Sequence, residues 1–161
     1  MGVWAVARTQ AWRCLRGCQL RGLLSQADVI SIHVPLLPST KYMFNEEVVG
    51  KLKKGCALLN VSRGALVDTR AIIDGLASGA IGSYGADVYE HEANYFFEDH
   101  SGKPMEDPLL AELIASPNLQ VTGHQAFLTG EALGQIIGTT MSNLQAFRDG
   151  AELKNEVKAQ K

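Results

Sequence analysis

The sequence predicts an α/β fold, a doubly wound parallel sheet followed by a C-terminal helix. From Asp28 onward, short apolar runs alternate with stretches of helical periodicity. Capping residues and glycines separate the two kinds of stretch. Strands and helices that alternate at this spacing imply a parallel sheet that right-handed crossovers cover on both faces. The chain contains no internal repeat and no low-complexity tract.

The composition indicates a folded domain with no nucleic-acid or membrane partner. The 161 residues are 46% apolar, which is enough to build a core. Basic and acidic residues number 15 and 17, so no large surface of one charge is expected. No apolar run approaches the roughly 20 residues that a membrane-spanning helix needs. The cysteines Cys14, Cys18 and Cys56 lack zinc-type spacing, so we expect reduced thiols in an intracellular protein.

The first 27 residues differ from the rest in charge. They contain Arg8, Arg13, Arg16 and Arg21 and no acidic residue. Such a segment is either an atypical start that is poorly ordered or loosely joined, or an organelle transit peptide. We therefore expect a cytoplasmic protein, with an organelle as the alternative. The predicted division is an unassigned segment 1–27, a sheet domain 28–127, and a C-terminal helix and tail 128–161.

The first predicted strand, residues 29–34, is a short β-rich run that Pro35 and Pro38 stop. Asn45 can cap the helix that follows, and Gly55 is expected to end it. Acidic residues in the first turn of this helix and lysines in its last turn complement the helix dipole.

The second strand is predicted at residues 56–61 and the third at residues 81–88. The helix between these two strands begins after the cap Asp68 and ends at Gly79. Glycines make the third strand unusual, because strands usually carry side chains that pack.

A polar loop at residues 90–107 is too long to be a mere connector. A helix at 108–115 and a fourth strand at 119–122 follow it. Thr129 can cap a last helix that runs to about Arg148. The predicted apolar face of this helix consists of Leu133, Ile136, Ile137, Thr140, Leu144 and Phe147.

Three strand ends bring charged side chains to one edge of the predicted sheet. Arg63 follows the second strand, Glu92 follows the third, and His124 follows the fourth. Open α/β sheets bind ligands beyond the carboxyl ends of their strands. A single histidine at such a place is more often structural, so the candidate active site depends on the three residues together.

Four segments resemble the NAD-dependent D-2-hydroxyacid dehydrogenases. They are ADVISIHVPL at 27–36, LNVSRGALVD at 59–68, DVYEHE at 87–92 and GHQAF at 123–127. The segments FFED at 96–99 and HQAFLT at 124–129 look most like the D-lactate dehydrogenase branch. The resemblance runs from about Leu20 to the C-terminus. It implies the second half of a Rossmann-type NAD-binding domain, and a C-terminal helix that in the family returns to the substrate domain.

The resemblance implies a role for each residue of the candidate active site. Arg63 matches the arginine that binds the substrate carboxylate and carbonyl. His124 matches the acid/base histidine, and Glu92, rather than Glu90, matches the acid that orients it. These residue types suit the reduction of a 2-keto acid. A guanidinium can fork onto a carboxylate, an imidazolium can deliver a proton, and a carboxylate behind the imidazolium stabilises its charge.

The same resemblance implies NAD as the cofactor and a small 2-keto or 2-hydroxy acid, such as pyruvate or D-lactate, as the substrate. Asp87 corresponds to the residue that holds the nicotinamide end of the cofactor. The other positions that the family places along the cofactor cleft are Val34, Pro35, Thr40, Val61 and Ser62.

The sequence departs from the family pattern in its first half. It contains no Gly-x-Gly-x-x-Gly turn, which in the family receives the pyrophosphate at a helix N-terminus. No acidic residue precedes Asp28 to bind the adenosine ribose, and the N-terminal substrate domain is absent. Half a doubly wound sheet is expected to expose a central strand edge and an apolar face, which invite pairing with another chain.

Other interpretations of the same residues remain open. A non-catalytic interaction module, docking a full-length relative as a homo- or hetero-oligomer, is the alternative function. The loop residues His91, Glu98, Asp99 and His100 fit no standard metal site, so no metal is expected. His33 lies inside a predicted strand and is expected to be a packed structural histidine.

Overall fold

Five parallel strands lie side by side in the order in which the chain forms them. The computed structural model describes residues 3–7 and 20–158. The strands are β1 (Val3–Ala7), β2 (Val29–His33), β3 (Cys56–Asn60), β4 (Ile81–Ala86) and β5 (Leu119–Val121). This order is that of one half of a doubly wound sheet, which confirms the predicted α/β class.

The helices of this part of the chain are α1 (Leu20–Leu24), α2 (Glu46–Val49), α3 (Thr69–Ser78) and α4 (Pro108–Ile114). The bounds of α3 follow the predicted signals. Asp68 accepts hydrogen bonds from two backbone N–H groups of the first turn, and Gly79 ends the helix in the left-handed conformation with a φ of 74°.

The prediction for α2 was right about its start and wrong about its end. The side chain of Asn45 accepts a hydrogen bond from the N–H of Val48, as a helix cap does. The helix then stops at Gly50 and does not continue to Gly55. The N–H groups of the next two residues bond three residues back, so the chain tightens into turns. The predicted lysines of the last turn therefore lie beyond the helix.

One face of the sheet packs against the helices. Buried apolar side chains of this face and of α2, α3 and α4 belong to a single core cluster. Ile30, Ile32, Leu58 and Ile81 contribute to it from the strands, and all four are fully buried. Buried apolar area of this kind stabilises the fold by about 25 cal/mol per Å².

The opposite face of the sheet is partly open to solvent. Leu59 in β3 is 39% exposed, and His33 and Ser83 are also exposed. Part of this face is thus exposed, as expected, and Leu59 is the large apolar residue exposed within strands β2 to β5. The prediction of a packed His33 was wrong, because His33 points to this face and its Nε2 lies 2.7 Å from the Ser31 hydroxyl.

Strand β1 adds an element that the sequence analysis did not predict. Its residues pair in parallel with β2, from Val3 opposite Val29 to Ala7 opposite His33. The edge of β2 is therefore paired, although an exposed central edge was expected. Residues 8–19, which hold most of the arginines of the leader, lie outside the described residues. The predicted boundary after residue 27 stays a prediction.

The chain divides into two compact units, Met1–His124 and Gln125–Lys161. The second unit is built on α5 (Gly130–Arg148), which Thr129 caps as predicted by accepting a hydrogen bond from the N–H of Ala132. The large apolar residues on its predicted face are 36% to 75% exposed. No described helix combines the length and the apolar content needed to span a membrane.

Candidate active site

The candidate active site lies at the carboxyl ends of β3, β4 and β5, which are neighbours in the sheet. Arg63 follows β3, Glu92 follows β4, and His124 follows β5. Parallel pairing brings these three strand ends to one edge, because all strands point the same way. The predicted juxtaposition is therefore a consequence of the topology.

His124 and Glu92 form a hydrogen-bonded pair. The Nδ1 atom of His124 lies 2.9 Å from Oε1 of Glu92, and the two side chains are 31% and 19% exposed. The other carboxylate oxygen accepts a hydrogen bond of 3.0 Å from the N–H of Tyr89. Both oxygens of Glu92 are thus held in place. With Nδ1 engaged, Nε2 is the ring nitrogen that can exchange a proton with a bound molecule.

The backbone at His124 adopts a left-handed conformation, with a φ of 56°. This region is uncommon for residues other than glycine and costs on the order of 1 kcal/mol. The His124 N–H donates a hydrogen bond of 2.7 Å to the carbonyl of Asp87, at the end of β4. The hydroxyl of Thr122 also donates to the Asp87 carboxylate, and these bonds fix the sharp turn that presents the imidazole.

Arg63 lies on a loop whose backbone is held by the buried side-chain amide of Asn60. The side chain of Asn60, which is 0% exposed, donates to the carbonyl of Arg63 at 2.9 Å and accepts from the N–H of Ser62 at 3.2 Å. The Ser62 hydroxyl donates in turn to the carbonyl of Val34, which ties the loop to the end of β2. The Arg63 guanidinium is exposed and donates to the carbonyl of Ser62.

Arg63 stays apart from the other two candidate residues. Among the residues that the structure describes, it forms no ion pair with Glu92 or with any other acid. An exposed guanidinium at a strand end can turn toward an anion that binds there. The structure thus brings Glu92 and His124 into contact and places Arg63 on a neighbouring loop.

The predicted cofactor-cleft residues occupy the ends of β2, β3 and β4. Val34 is buried, Val61 is 39% exposed, and Asp87 is buried with its carboxylate bonded to Thr122. Ser62 and Pro35 are half-buried. The hydroxyl of Thr40 serves the fold, since it donates to the carbonyl of Pro35 at 2.7 Å and accepts from the N–H of Leu37 at 2.8 Å.

Glu90 has partners that the sequence analysis missed. Its carboxylate accepts hydrogen bonds from the hydroxyls of Tyr42, at 2.8 Å, and Thr69, at 2.6 Å. It is therefore committed to Tyr42 on another loop and to Thr69 at the start of α3, whereas Glu92 contacts His124. No local pattern reveals these bonds, because they join residues 48 and 21 positions apart.

Tyr84 and Tyr89 are buried near these loops, and the pKa of each hydroxyl is raised. Burial raises the pKa of Tyr84 above its ordinary value. Burial, together with a hydrogen bond to Asp107, likewise raises the pKa of Tyr89. Asp107 also accepts from the first N–H groups of α4, so it links the long loop to that helix.

Within the described residues, no three His, Cys, Asp or Glu side chains are grouped to hold a metal ion.

Comparison with known proteins identifies the family. Residues 3–126 match the family model described as "D-isomer specific 2-hydroxyacid dehydrogenase, NAD binding domain". The match begins well before Leu20, where we expected the resemblance to start, and it includes β1. The chain is 48% identical over 129 residues to 2-hydroxyacid dehydrogenase A of Aspergillus oryzae, with 80% of this chain and 37% of that protein covered.

Solved structures agree with the family model. The structure of the pyruvate reductase of Chlamydomonas reinhardtii matches with a TM-score of 0.80 and 42% identity, covering 86% of this chain and 43% of that one. The D-lactate dehydrogenase of Lactobacillus jensenii, solved with NAD+, matches with a TM-score of 0.81 and 32% identity, covering 88% and 43%.

These relatives also show how much of a whole protein is present. The chain spans about two fifths of the length of the relatives it matches. The family model alone covers most of the chain. On this evidence the chain belongs to the D-isomer specific 2-hydroxyacid dehydrogenase family of NAD-dependent oxidoreductases and carries part of its NAD-binding domain.

Proposed function

We propose that this chain is part of an NAD-dependent D-lactate dehydrogenase-like enzyme that reduces a 2-keto acid such as pyruvate to the D-2-hydroxy acid. The His124–Glu92 hydrogen bond is the observation that carries the proposal. It joins two side chains that come from different strand ends, and it leaves Nε2 able to serve a substrate. The names of the relatives, D-lactate dehydrogenase and pyruvate reductase, support the choice of substrate.

Each candidate residue has a defined part in the reaction. Arg63 binds the substrate carboxylate with its planar fork and so orients the keto group. NADH, when bound, supplies the hydride that reaches the carbonyl carbon. His124 delivers a proton from Nε2 to the carbonyl oxygen, on which negative charge develops. Glu92 accepts the Nδ1 hydrogen bond and stabilises the imidazolium before the transfer.

The residues present fit the nicotinamide side of the cofactor. Val34, Pro35, Thr40, Val61, Ser62 and Asp87 are the proposed cofactor-binding residues. Val61, Ser62 and Asp87 lie at neighbouring strand ends on the edge that carries His124, and Val61 is exposed there. The 161 residues include no Gly-x-Gly-x-x-Gly turn for the pyrophosphate side.

Fusion to the remainder of a relative tests the proposal. The chain is joined to the N-terminal part of a D-lactate dehydrogenase relative, and NADH oxidation with pyruvate is followed by absorbance. We expect turnover that His124→Ala lowers by roughly 10² to 10⁴, the usual contribution of an acid/base group. His91→Gln, at an exposed histidine of the same sheet edge, is the matched control. Wild-type turnover in His124→Ala would contradict the assignment.

The exposed face of the sheet favours a second candidate function, a non-catalytic interaction module. Leu59, in the last part of β3, is 39% exposed, although its strand lies between two others in the sheet. In this case the chain would bind a full-length relative as a homo- or hetero-oligomer. Size-exclusion chromatography with and without that relative distinguishes the two functions. If the chain elutes as a monomer and does not bind the relative, the second function is excluded.

The proposed site of action is the cytoplasm. The organelle alternative rests on the arginines of the leader, Arg8 to Arg21. Fractionation of cells that express the tagged chain decides between the two locations.

A further inference from the structure

Glu90 joins three loops at the edge of the sheet that carries the candidate active site. The first loop contains Tyr42, the second begins at Arg63 and leads to Thr69 at the start of α3, and the third carries Glu90 itself. The two hydrogen bonds of Glu90 are its links to the first two loops, at 2.8 Å and 2.6 Å. Thr69 is only 3% exposed, so its hydroxyl has little access to water as an alternative partner.

The Arg63 loop also packs directly on the backbone of the Glu90 loop. A Cβ placed on Gly64 would lie 2.1 Å from the carbonyl carbon of Tyr89 and 2.2 Å from the nitrogen of Glu90. Real contacts never come so close, so only a glycine allows this approach. The residue after Arg63 and the peptide that joins Tyr89 to Glu90 are therefore in immediate contact.

Tyr42 bonds to both of the other loops. Its N–H donates a hydrogen bond of 2.8 Å to the carbonyl of Ala65, and its hydroxyl donates to Glu90. Its backbone is left-handed, with a φ of 51°, which is a rare conformation for an aromatic residue. The strain of that conformation is offset by bonds made at both ends of the residue.

The backbone next to Glu90 also holds the side chain of Glu92. The N–H of Tyr89 donates to Oε2 of Glu92, and Oε1 of the same carboxylate meets Nδ1 of His124. The Tyr89–Glu90 peptide, which packs against Gly64, directly follows the Val88–Tyr89 peptide, whose N–H holds the Glu92 carboxylate. We propose that Glu90 is a positioning residue, which sets the Glu92–His124 pair and the Arg63 loop at a fixed separation for the 2-keto acid. This inference rests on the proposed function for its catalytic meaning.

Nitrogen-15 NMR of the histidines tests the proposal on the 161-residue chain itself. The Nδ1–H proton of His124, assigned by its loss in His124→Gln, reports the bond to Glu92. We expect Glu90→Ala to speed the exchange of this proton with water about tenfold, as the loss of a hydrogen bond does. Glu90→Gln should restore slow exchange, because an amide can accept from one hydroxyl and donate to the other.

Controls separate positioning from general loss of stability. Glu98→Ala removes an exposed acid of the same long loop and should leave the Nδ1–H signal as in the wild type. Thermal unfolding of each variant is recorded alongside. If Glu90→Ala does not fold, Tyr42→Phe removes a single hydroxyl and should accelerate exchange to a smaller extent.

Several results would overturn the proposal. They are unchanged exchange in a folded Glu90→Ala, unchanged exchange in Tyr42→Phe when Glu90→Ala does not fold, failure of Glu90→Gln to restore slow exchange, and absence of the Nδ1–H signal from the wild-type chain. None of these measurements uses NADH or pyruvate. Failure of the fused protein to reduce pyruvate would therefore count against the proposed function alone.

Discussion

Arg63 is the candidate residue whose side chain the fold leaves most free. Its carbonyl is fixed by Asn60, while its guanidinium is exposed and, among the described residues, bonds to the neighbouring Ser62 carbonyl alone. The backbone of the loop is thus held in place, while the Arg63 guanidinium can reorient toward a bound substrate. That combination suits a residue that must turn both donors of its fork onto an incoming carboxylate.

Arg63→Lys should therefore weaken substrate binding. In the fused enzyme, we expect the KM for pyruvate to rise by about 10- to 100-fold, because an ammonium cannot reproduce the bidentate fork. Steady-state kinetics at saturating NADH provide the measurement. Arg70→Lys is the control, since Arg70 forks onto Glu112 at the surface with two bonds of 2.7 Å. An Arg63→Lys enzyme with wild-type KM and turnover would exclude the proposed role.

At this scale the sequence indicated one contact of the candidate site and left others unpredicted. The resemblance indicated Glu92 as the partner of His124, and the structure places their atoms 2.9 Å apart. The bonds of Glu90 could not be predicted in the same way. They depend on where loops 48 and 21 residues away come to lie, which only the folded topology determines.

Among the strands, β4 carries a side chain that links stability to pH. Tyr84 is 3% exposed, and burial raises the pKa of its hydroxyl from the ordinary value of 10.0. The hydroxyl also contacts the side chain of Asn60, which holds the Arg63 loop. Strand β4 is thus connected to the candidate site through the interior of the sheet.

Alkaline pH should therefore destabilise the chain through Tyr84. The unfolded chain loses the Tyr84 proton as the pH passes about 10, whereas the folded chain keeps it until a higher pH. The stabilisation is complete below that pH and is lost as the pH rises toward the folded pKa. In that window Tyr84 should lower the free energy of unfolding by about 1.4 kcal/mol per pH unit.

Urea unfolding of the wild type and of Tyr84→Phe, at about pH 8 and about pH 11, measures this contribution. The loss of stability between the two pH values should be smaller in Tyr84→Phe. Because each loss is measured within one protein, it does not include the cost of the missing hydroxyl. Subtracting one loss from the other then removes the effects of the other tyrosines, which both proteins share. Equal losses in the two proteins would show that the Tyr84 proton is not coupled to folding.

The elements themselves were predicted where local chemistry decides them. Asn45, Asp68 and Thr129 cap helices as expected, because a side-chain oxygen satisfies a free N–H wherever the chain turns into a helix. The early end of α2 and the existence of β1 were not predicted. Strand β1 forms by pairing with β2, a contact between distant segments that its own short sequence does not encode.

For the whole molecule, the apolar pattern of the strands is typical of a sheet that is covered on both faces, whereas part of one face is exposed in this chain. Leu59, near the end of β3, and Val61, just beyond it, are both 39% exposed, although both belong to the predicted strand 56–61. A strand of a doubly wound sheet is apolar on both faces because helices cover both. The pattern therefore predicts the environment of the complete domain, and the relatives are about twice as long as this chain.

The same comparison sets an expectation for cofactor binding by the chain alone. Much of the affinity for a dinucleotide comes from the pyrophosphate at a glycine-rich helix N-terminus and from an acid on the adenosine ribose. The 161 residues contain no Gly-x-Gly-x-x-Gly turn, and no acidic residue precedes Asp28. Asp87 and the ends of β2 and β3 are proposed to contact the nicotinamide side only.

The 161-residue chain by itself should therefore bind NADH weakly, if at all, and should not reduce pyruvate measurably. Positioning alone can contribute ~7–11 kcal/mol to such a rate, and an open site that admits water forgoes most of it. Fluorescence titration with NADH, followed by addition of pyruvate and absorbance measurements, tests both statements, with His124→Ala as the control. Micromolar binding together with steady NADH consumption that His124→Ala abolishes would show that this part of the domain forms a working site on its own.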